Sequence, residues 1–198
     1  MGAGDLVVDV GAGSGMLTRA LLAAGARVRA IEPDRTHARR LRRACPEAEV
    51  VEADARFVHW PREPFRVVAN LPFALAADLC RSLLDDPHVP LVAADLIVEW
   101  DFAAKRARLW PSTAQTVGRS AWYELAVVRR LPPAVFAPRP SVAGAVLRAR
   151  RRAVPLVAAR DAERFERFVR DGFRRDRHAC ELDPHAWAVR FGSYRARR

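Results

Sequence analysis

Short apolar runs alternate with stretches of helical spacing over the first hundred residues. Five strands are predicted at 6–10, 28–31, 49–51, 66–71 and 91–98. Helices are predicted at 16–24, 35–44 and 74–84, and from the end of the fifth strand through Lys105. Strands that alternate with helices in this way are typical of a doubly wound, mostly parallel α/β sheet.

The pattern changes in the second half of the chain. Two apolar runs, 122–131 and 143–149, have no helical segment between them, only a proline-rich turn. This predicts an antiparallel hairpin at the edge of the sheet. Residues 159–175 then have helical spacing, with three phenylalanines among charged residues. We therefore expect a first domain at 1–150 and a basic, partly helical C-terminal segment at 151–198.

A glycine-rich turn follows the first predicted strand, with the sequence DVGAGSG from Asp9 to Gly15. Glycines let the backbone turn sharply and let a ligand approach it closely. Glu32 follows Gly11 by 21 residues, at the end of the second strand. A carboxylate at that place can accept hydrogen bonds from both hydroxyls of a ribose. Gly11, Gly13 and Glu32 are therefore predicted to bind a nucleoside cofactor.

The spacing of the glycines separates two kinds of cofactor. A dinucleotide fingerprint has a glycine where this chain has Met16. The G-x-G-x-G form suits S-adenosylmethionine, which has a ribose but no pyrophosphate. A nicotinamide-dependent oxidoreductase is correspondingly disfavoured. The alternative is a glycine turn with a purely structural role.

Asp54 lies at the end of the third predicted strand, in the sequence EADA. In a sheet of this kind that tip lies beside a bound base, so the Asp54 carboxylate can accept a hydrogen bond from the adenine amine of the cofactor. Aspartate is also a common N-cap of helices. The residues leave both interpretations open.

The tetrapeptide Asn70-Leu71-Pro72-Phe73 ends the fourth predicted strand. Open α/β sheets bind ligands at the carboxyl ends of their strands. An adenine amine is a poor nucleophile because its lone pair is delocalised into the ring. Acceptors on the Asn70 side chain and the Leu71 carbonyl can hold it in a more tetrahedral geometry. Pro72 stiffens the loop, and Phe73 offers a face for a flipped base. These four residues are the predicted catalytic set, and we also count Asn70 among the cofactor-binding residues.

Charge is distributed unevenly along the chain. The formal net charge is +11, from 34 basic and 23 acidic residues. Residues 146–198 have fifteen arginines against seven carboxylates, a net charge of +8. Clustered arginine predicts contacts with a nucleic acid backbone. A compositional bias is the alternative, because Lys105 is the one lysine among the basic residues.

Metal and disulfide chemistry are not expected. Cys45, Cys80 and Cys180 are far apart, which fits a reducing cytoplasm. His178, Cys180, Asp183 and His185 lie close in sequence, but their spacing fits no standard zinc pattern. No apolar stretch is long enough to cross a membrane, and the first residues do not resemble a secretory signal.

The sequence resembles the ribosomal RNA adenine dimethyltransferases, most closely the erythromycin-resistance (Erm) methyltransferases of actinobacteria. The resemblance rests on VVDVGAGSGMLTRAL, RAIEPD, VVEADA, FRVVANLPF, WDFAAKRAR and AVFAPRPSVAGAVL. It implies a Rossmann-like methyltransferase fold, and S-adenosylmethionine bound by Gly11, Gly13, Glu32 and Asp54.

The resemblance also implies a target and a substrate. Asn70, Phe73 and Phe136 would handle the target adenine. The substrate would be 23S rRNA near the peptidyl-transferase centre, methylated at an adenine N6 to give macrolide-type resistance. We expect a monomer that binds ribosomal RNA in the cytoplasm and does not bind membranes.

Two alternatives remain. A sister branch of the family methylates small-subunit rRNA, and it usually has Tyr followed by Asn-Ile where this chain has Phe73-Ala74-Leu75. The family also has a segment before the glycine motif and a larger C-terminal helical domain, so we expect a chain that is truncated at the N-terminus and short at the C-terminus. The second alternative is therefore a relative that binds RNA without turnover.

Overall fold

A computed structural model describes residues 2–70, 72–107, 113–176 and 178–196. Leu71, one of the four predicted catalytic residues, lies outside these ranges. The strands are β1 (Leu6–Val10), β2 (Arg27–Ile31), β3 (Glu49–Val51), β4 (Phe65–Asn70), β5 (Leu91–Glu99), β6 (Tyr123–Leu131) and β7 (Gly144–Arg151). The helices in the described ranges are α1 (Met16–Ala23), α2 (Arg35–Ala44), α3 (Ala76–Leu84), α4 (Trp100–Arg106), α5 (Ala114–Ser120), α6 (Ala162–Arg175) and α7 (Pro184–Ala196).

All seven strands form one sheet with the order β3-β2-β1-β4-β5-β7-β6. Strands β1 to β5 are parallel, and β7 pairs antiparallel with both β5 and β6. The mostly parallel sheet and its antiparallel edge hairpin are therefore confirmed. The strand order reverses between β1 and β4, and the carboxyl ends of these strands are where such sheets bind ligands.

The largest hydrophobic cluster lies on one face of the sheet and continues into the C-terminal helices. It contains β-strand residues such as Leu96 and Leu147 together with Phe165 of α6 and Trp187 of α7. Helices α1 and α2 cover part of the other face through smaller clusters that include Leu21 and Leu41. We keep 1–150 and 151–198 as a proposed division by architecture, although the two parts share this main cluster.

Two helices differ from the sequence-based expectation. Helix α5 lies in a segment to which no element was assigned, and its first turn is capped by the Thr113 hydroxyl, which accepts from the Thr116 amide at 3.2 Å. Helix α7 lies in the C-terminal segment that was expected to be partly helical, beyond the one helical stretch assigned there at 159–175. Its Trp187 stacks on Phe173 with ring centroids 5.6 Å apart, and a Cβ atom on Gly172 would collide with the Trp187 ring. The absence of a side chain at Gly172 therefore lets α7 dock onto α6.

Arg151 ties the edge hairpin to the loop before β5. Its half-buried guanidinium donates to the carbonyl oxygens of Leu91 at 2.7 Å, Pro87 at 3.1 Å and Val89, and to the Tyr123 hydroxyl at 2.7 Å. Burial raises the pKa of Tyr123 to about 12, which keeps the phenol neutral. The four acceptors share one cation, so the loop and the hairpin are held together at the amino edge of the sheet.

We expect Arg151→Met to lower the free energy of unfolding by roughly 2 to 4 kcal/mol, because the acceptors lose their donor while remaining sheltered from water. Arg150→Met is the matched control. The Arg150 side chain is 68% exposed and paired with Glu124, so its loss should lower the free energy of unfolding by less than about 1 kcal/mol. Urea unfolding of both variants measures the difference, and equal losses would contradict the role given to Arg151.

Candidate cofactor and target-base site

The glycine turn after β1 adopts backbone angles that favour glycine. Gly11, Gly13 and Gly15 have φ values of 72°, 53° and 79°, in the left-handed region that other residues rarely adopt. A Cβ atom on Gly15 would also collide with the Leu41 side chain. The turn therefore packs tightly against α2 and leaves its backbone at the carboxyl edge of the sheet.

Glu32, at the end of β2, joins two backbone segments around this turn. One carboxylate oxygen, Oε2, accepts from the Gly13 amide at 2.7 Å, and Oε1 accepts from the Asp34 amide at 2.8 Å. The side chain is 5% exposed. Each oxygen keeps acceptor capacity beyond its one backbone bond. The structure thus brings Gly11, Gly13 and Glu32 together, as the sequence predicted.

Asp9 is a further candidate residue, to which the sequence did not point. It is fully buried in β1, and its Oδ2 accepts from the Thr18 hydroxyl at 2.6 Å. Its Oδ1 has no hydrogen-bond partner among the described residues. Burial raises the pKa of the Asp9 carboxyl, with a smaller contribution from Glu32. The one signal in the sequence was an acid within an apolar strand directly before the glycine turn.

Asp54 lies in a turn after β3. The backbone amide of Glu32 donates to the Val51 carbonyl at 3.0 Å, so the tips of β2 and β3 are adjacent. The Asp54 carboxylate accepts from the Arg56 amide at 2.9 Å and from its guanidinium at 2.6 Å. Arg56 holds the pKa of Asp54 below its usual value. No helix begins here within the described residues, so the N-cap interpretation was wrong, and the carboxylate is an ionised acceptor.

The predicted target-base residues lie at the end of β4. Asn70 is exposed, and Pro72 precedes a 3-10 turn that leads into α3. Phe73 is partly buried, and its ring meets the Phe136 ring edge-on with centroids 6.4 Å apart. Phe136 packs closely over Gly144 of β7, where an added Cβ atom would lie 2.8 Å from the ring. The loop after β4 and the loop before β7 therefore form one aromatic wall.

Fewer arginines of residues 146–198 are available to contact a nucleic acid backbone than their number indicates. Arg148 pairs with Asp95, while Arg150 and Arg152 pair with Glu124. The tail's own carboxylates pair with Arg170, Arg190 and Arg195. Arg177, Arg197 and Arg198 lie outside the described residues. Five exposed arginines have no carboxylate within 4.0 Å in the described part: Arg160, Arg164, Arg167, Arg174 and Arg175.

The candidate metal site of the sequence was not favoured, and its histidine has another partner. His178 Nδ1 lies 2.9 Å from the Glu181 carboxylate, which raises the pKa of His178. No group of three or more His, Cys, Asp or Glu side chains in the described ranges is arranged to hold a metal ion. A helix long and apolar enough to cross a membrane is likewise not found among those residues.

Comparison with solved structures shows many chains with a similar fold, of which two illustrate the likeness. The crystal structure of the 23S rRNA methyltransferase ErmE has a TM-score of 0.78 and 29% identity, over 92% of this chain and 77% of that chain. A dimethyladenosine transferase from Plasmodium falciparum has a TM-score of 0.77 at 23% identity, over 91% of this chain and 68% of that chain, which supports the fold alone.

Curated protein sequences also include relatives of this chain. The mycinamicin-resistance protein MyrB of Micromonospora griseorubida is 36% identical over 83% of this chain and 53% of its own length. An rRNA adenine N-6-methyltransferase of Corynebacterium diphtheriae is 31% identical over 84% of this chain and 66% of its own length. The chain thus spans about half to two thirds of the length of these relatives. The family model described as ribosomal RNA adenine dimethylase matches residues 3–181, and the chain belongs to that family.

Proposed function

We propose that this protein transfers a methyl group from S-adenosylmethionine to the N6 amine of an adenine in 23S rRNA. The observation that carries the proposal is the placement of Asn70 and the Phe73–Phe136 wall at the same sheet edge as the glycine turn and Glu32. One edge therefore holds a nucleoside-type site beside an amide and two aromatic rings. The names of the ErmE and MyrB relatives support the large-subunit target and a role in macrolide resistance.

The described residues fit S-adenosylmethionine. The unpartnered Asp9 Oδ1 provides a buried acceptor below the glycine turn for an ammonium group or a bridging water. Glu32 has acceptor capacity for the ribose hydroxyls, and the ionised Asp54 suits an adenine amine if it shares or exchanges its contact with Arg56. When bound, the cofactor supplies a methyl group on a positively charged sulfur.

The chain's own residues position and polarise the amine. The Asn70 side-chain oxygen accepts a hydrogen bond from the amine, which favours a tetrahedral nitrogen with an available lone pair. We propose the Leu71 carbonyl as a second acceptor, by its place in the sequence. Phe73 and Phe136 stack against the flipped base and exclude water. Catalysis is then mostly positioning, with Pro72 limiting the freedom of the loop.

The proposal includes a monomeric protein acting on ribosomal RNA in the cytoplasm. The widely spaced cysteines fit a reducing compartment. The test is transfer of a tritiated methyl group to unmethylated 23S rRNA, with the product located by primer-extension stops. Incorporation into small-subunit rRNA instead would assign the chain to the sister branch. Incorporation at a cytosine or a ribose hydroxyl would contradict the amine chemistry.

We expect Glu32→Ala to weaken S-adenosylmethionine binding by roughly 1 to 3 kcal/mol, because a charged acceptor is lost. Calorimetry measures the affinity. Glu49→Ala is the matched control, since Glu49 is an exposed glutamate paired with Arg29 at 2.8 Å, and its loss should leave the affinity unchanged. Unchanged affinity in the Glu32 variant would remove Glu32 from the site.

We expect Asp9→Asn to stabilise the free protein while weakening cofactor binding. Burial raises the pKa of Asp9 from its usual 3.8. The folded state therefore binds this proton more tightly than the unfolded state. The wild type loses stability as pH rises from the usual pKa of 3.8 to the raised pKa of the folded state. The variant should be more stable at pH 7 by roughly 1 to 3 kcal/mol, and the difference should shrink towards pH 4. Urea unfolding at several pH values checks this, and a destabilised variant would contradict it.

We expect Asn70 and Phe73 to affect catalysis differently. Asn70→Ala should lower kcat more than it raises KM for RNA, because the Asn70 contact strengthens as the nitrogen becomes nucleophilic. Phe73→Ala should lose about 1 to 3 kcal/mol of stacking, while Phe73→Tyr and Phe73→Trp should retain most activity. Phe57→Ala is the control, since that ring is 79% exposed and outside the wall. Full activity of Asn70→Ala in the methyl-transfer assay would exclude it from the mechanism.

A further inference from the structure

Helix α2 has an unusual distribution of charge. Its ten residues, RTHARRLRRA, include five arginines and no carboxylate. Helices α3, α4 and α6 contain both signs: on α3 Arg81 pairs with Asp78, and on α6 Arg170 pairs with Glu166. Helices α1, α5 and α7 also lack carboxylates, but each has at most two arginines. The net charge of residues 1–60 does not reveal the basic character of this helix, because that stretch has nine basic and eight acidic side chains. The acids lie on other elements.

Most of the arginines of α2 face solvent. Ala38 and Leu41 are 0% and 1% exposed and form the buried face of the helix. Arg35, Arg39, Arg40 and Arg43 are exposed, and we call these four residues the α2 arginine face. With 3.6 residues per turn, Arg35, Arg39 and Arg43 lie one above another, and Arg40 lies beside them.

The α2 arginine face has few compensating groups. Arg42, outside the face, reaches Glu52 at 3.3 Å. Within the described ranges, no carboxylate lies within 4.0 Å of the four arginines of the face. Asp34, the nearest acid in sequence, caps the helix by accepting from the His37 amide at 2.8 Å.

Helix stability accounts for only one residue of this arrangement, because Arg43 lies in the last turn, where the helix dipole favours a cation. Like charges at a spacing of four residues repel each other. Arg35 also places a cation at the first position of the helix, at the positive end of its dipole. The helix is held instead by the Asp34 cap and by burial of Ala38 and Leu41. A polyanionic partner would remove the repulsion.

We infer that the α2 arginine face is a second RNA-binding surface, which contacts backbone phosphates outside the target nucleotide. The identity of the partner rests on the proposed function. Arginine guanidinium groups bind phosphate through two parallel hydrogen bonds. From Arg35 to Arg43 the face extends about 12 Å along the helix axis, which is long enough for several contacts along one strand.

The position of α2 suits RNA that flanks the target. The helix starts immediately after the cofactor-site segment of Glu32 to Asp34, at the carboxyl edge of the sheet. Strand β1 separates β2 from β4, which ends at Asn70, so these two strand tips are about 10 Å apart along the sheet. An RNA whose adenine lies at Asn70 can therefore reach the start of α2. The face acts on affinity rather than on the chemical step.

A membrane surface fits α2 less well. A helix that lies on a bilayer needs an apolar face to bury in the lipid boundary. Of the apolar side chains of α2, Ala38 and Leu41 are already buried in the protein, and the exposed Ala44 offers only a methyl group. The exposed surface of the helix therefore offers charge with little apolar area, which is typical of contacts with a nucleic acid backbone.

The test compares two triple variants of the full chain. Arg39→Gln/Arg40→Gln/Arg43→Gln removes three charges from the α2 arginine face. Arg27→Gln/Arg62→Gln/Arg81→Gln removes three charges from exposed arginines of β2, the β3–β4 loop and α3. Arg35 is left in place because it adjoins the cofactor segment. Fluorescence anisotropy measures binding to a 23S rRNA fragment and to an unrelated RNA of equal length, over a range of salt concentrations.

The α2 variant should bind both RNAs at least about tenfold more weakly, and the slope of log affinity against log salt should fall by about two to three. The control variant should change affinity by less than about twofold. Equal losses in both variants would mean that total charge matters rather than α2, and would overturn the inference. Loss of binding to phosphatidylserine vesicles with unchanged RNA affinity would assign the face to a membrane.

Methyl transfer separates this inference from the proposed function. A wild-type chain that methylates 23S rRNA, with an α2 variant of unchanged RNA affinity, would overturn the inference alone. A wild-type chain that binds RNA through α2 but transfers no methyl group to any rRNA would overturn the proposed function alone. Circular dichroism checks folding, and the melting temperature of the α2 variant should equal or exceed that of the wild type. If the triple variant does not fold, the single variants Arg39→Gln and Arg43→Gln replace it, each expected to reduce the salt slope by about one.

Discussion

One carboxylate fixes the geometry on which the rest of the site depends. Burying an ion is unfavourable unless hydrogen bonds replace its water, and Glu32 obtains both replacements from backbone amides, those of Gly13 and Asp34. The same side chain therefore sets the glycine turn against β2 and places Asp34 where it caps α2. The proposed cofactor site and the start of an arginine-rich helix share this single anchor. Their relative positions are consequently a property of the fold rather than of flexible side chains.

Contacts that stabilise the fold and polar groups that are open to a ligand lie at opposite edges of the sheet. At its amino edge, Arg151 joins a loop to the hairpin, and the aromatic contacts of α6 and α7 extend the main core. At its carboxyl edge, the tips of β1 to β4 provide exposed or unpartnered polar groups such as Asn70 and the Asp9 Oδ1. The arrangement lets the edge that binds ligands retain unsatisfied acceptors, because the opposite edge and the core supply the stability.

The sequence predicted the sheet well because its parallel strands are short runs in which apolar residues predominate. The bounds of β1, α2 and β3 agree with the expectation, and so does the edge hairpin. Helix α5 was missed because its residues lack apolar periodicity. It depends on tertiary contacts, including the buried Arg119, which pairs with Asp85 at 2.6 Å. Helix α7 was missed because its docking depends on the space left at Gly172, which local sequence does not reveal.

The position of a candidate site residue was predictable where its side chain stands at a strand tip, as with Glu32 and Asn70. It was not predictable where the outcome depends on pairing in space. The contact between Asp54 and Arg56 is of this kind, and so is the absence of a partner for the Asp9 Oδ1 among the described residues. Charge shows the same limit: fifteen arginines in residues 146–198 predicted a basic surface, yet at least six of them pair with carboxylates.

The close packing of Phe136 over Gly144 has a consequence for how the site can diverge. Phe136 rests on the first residue of β7, so the ring position follows the register of the edge hairpin. The register is specified by pairing with β5 and β6, and a slip of one residue would reverse every side chain of the strand. The residues proposed to bind the cofactor lie on other strands. Evolution can therefore reshape the proposed target-base site through the length and composition of the 132–143 connection, while the glycine turn and Glu32 remain untouched.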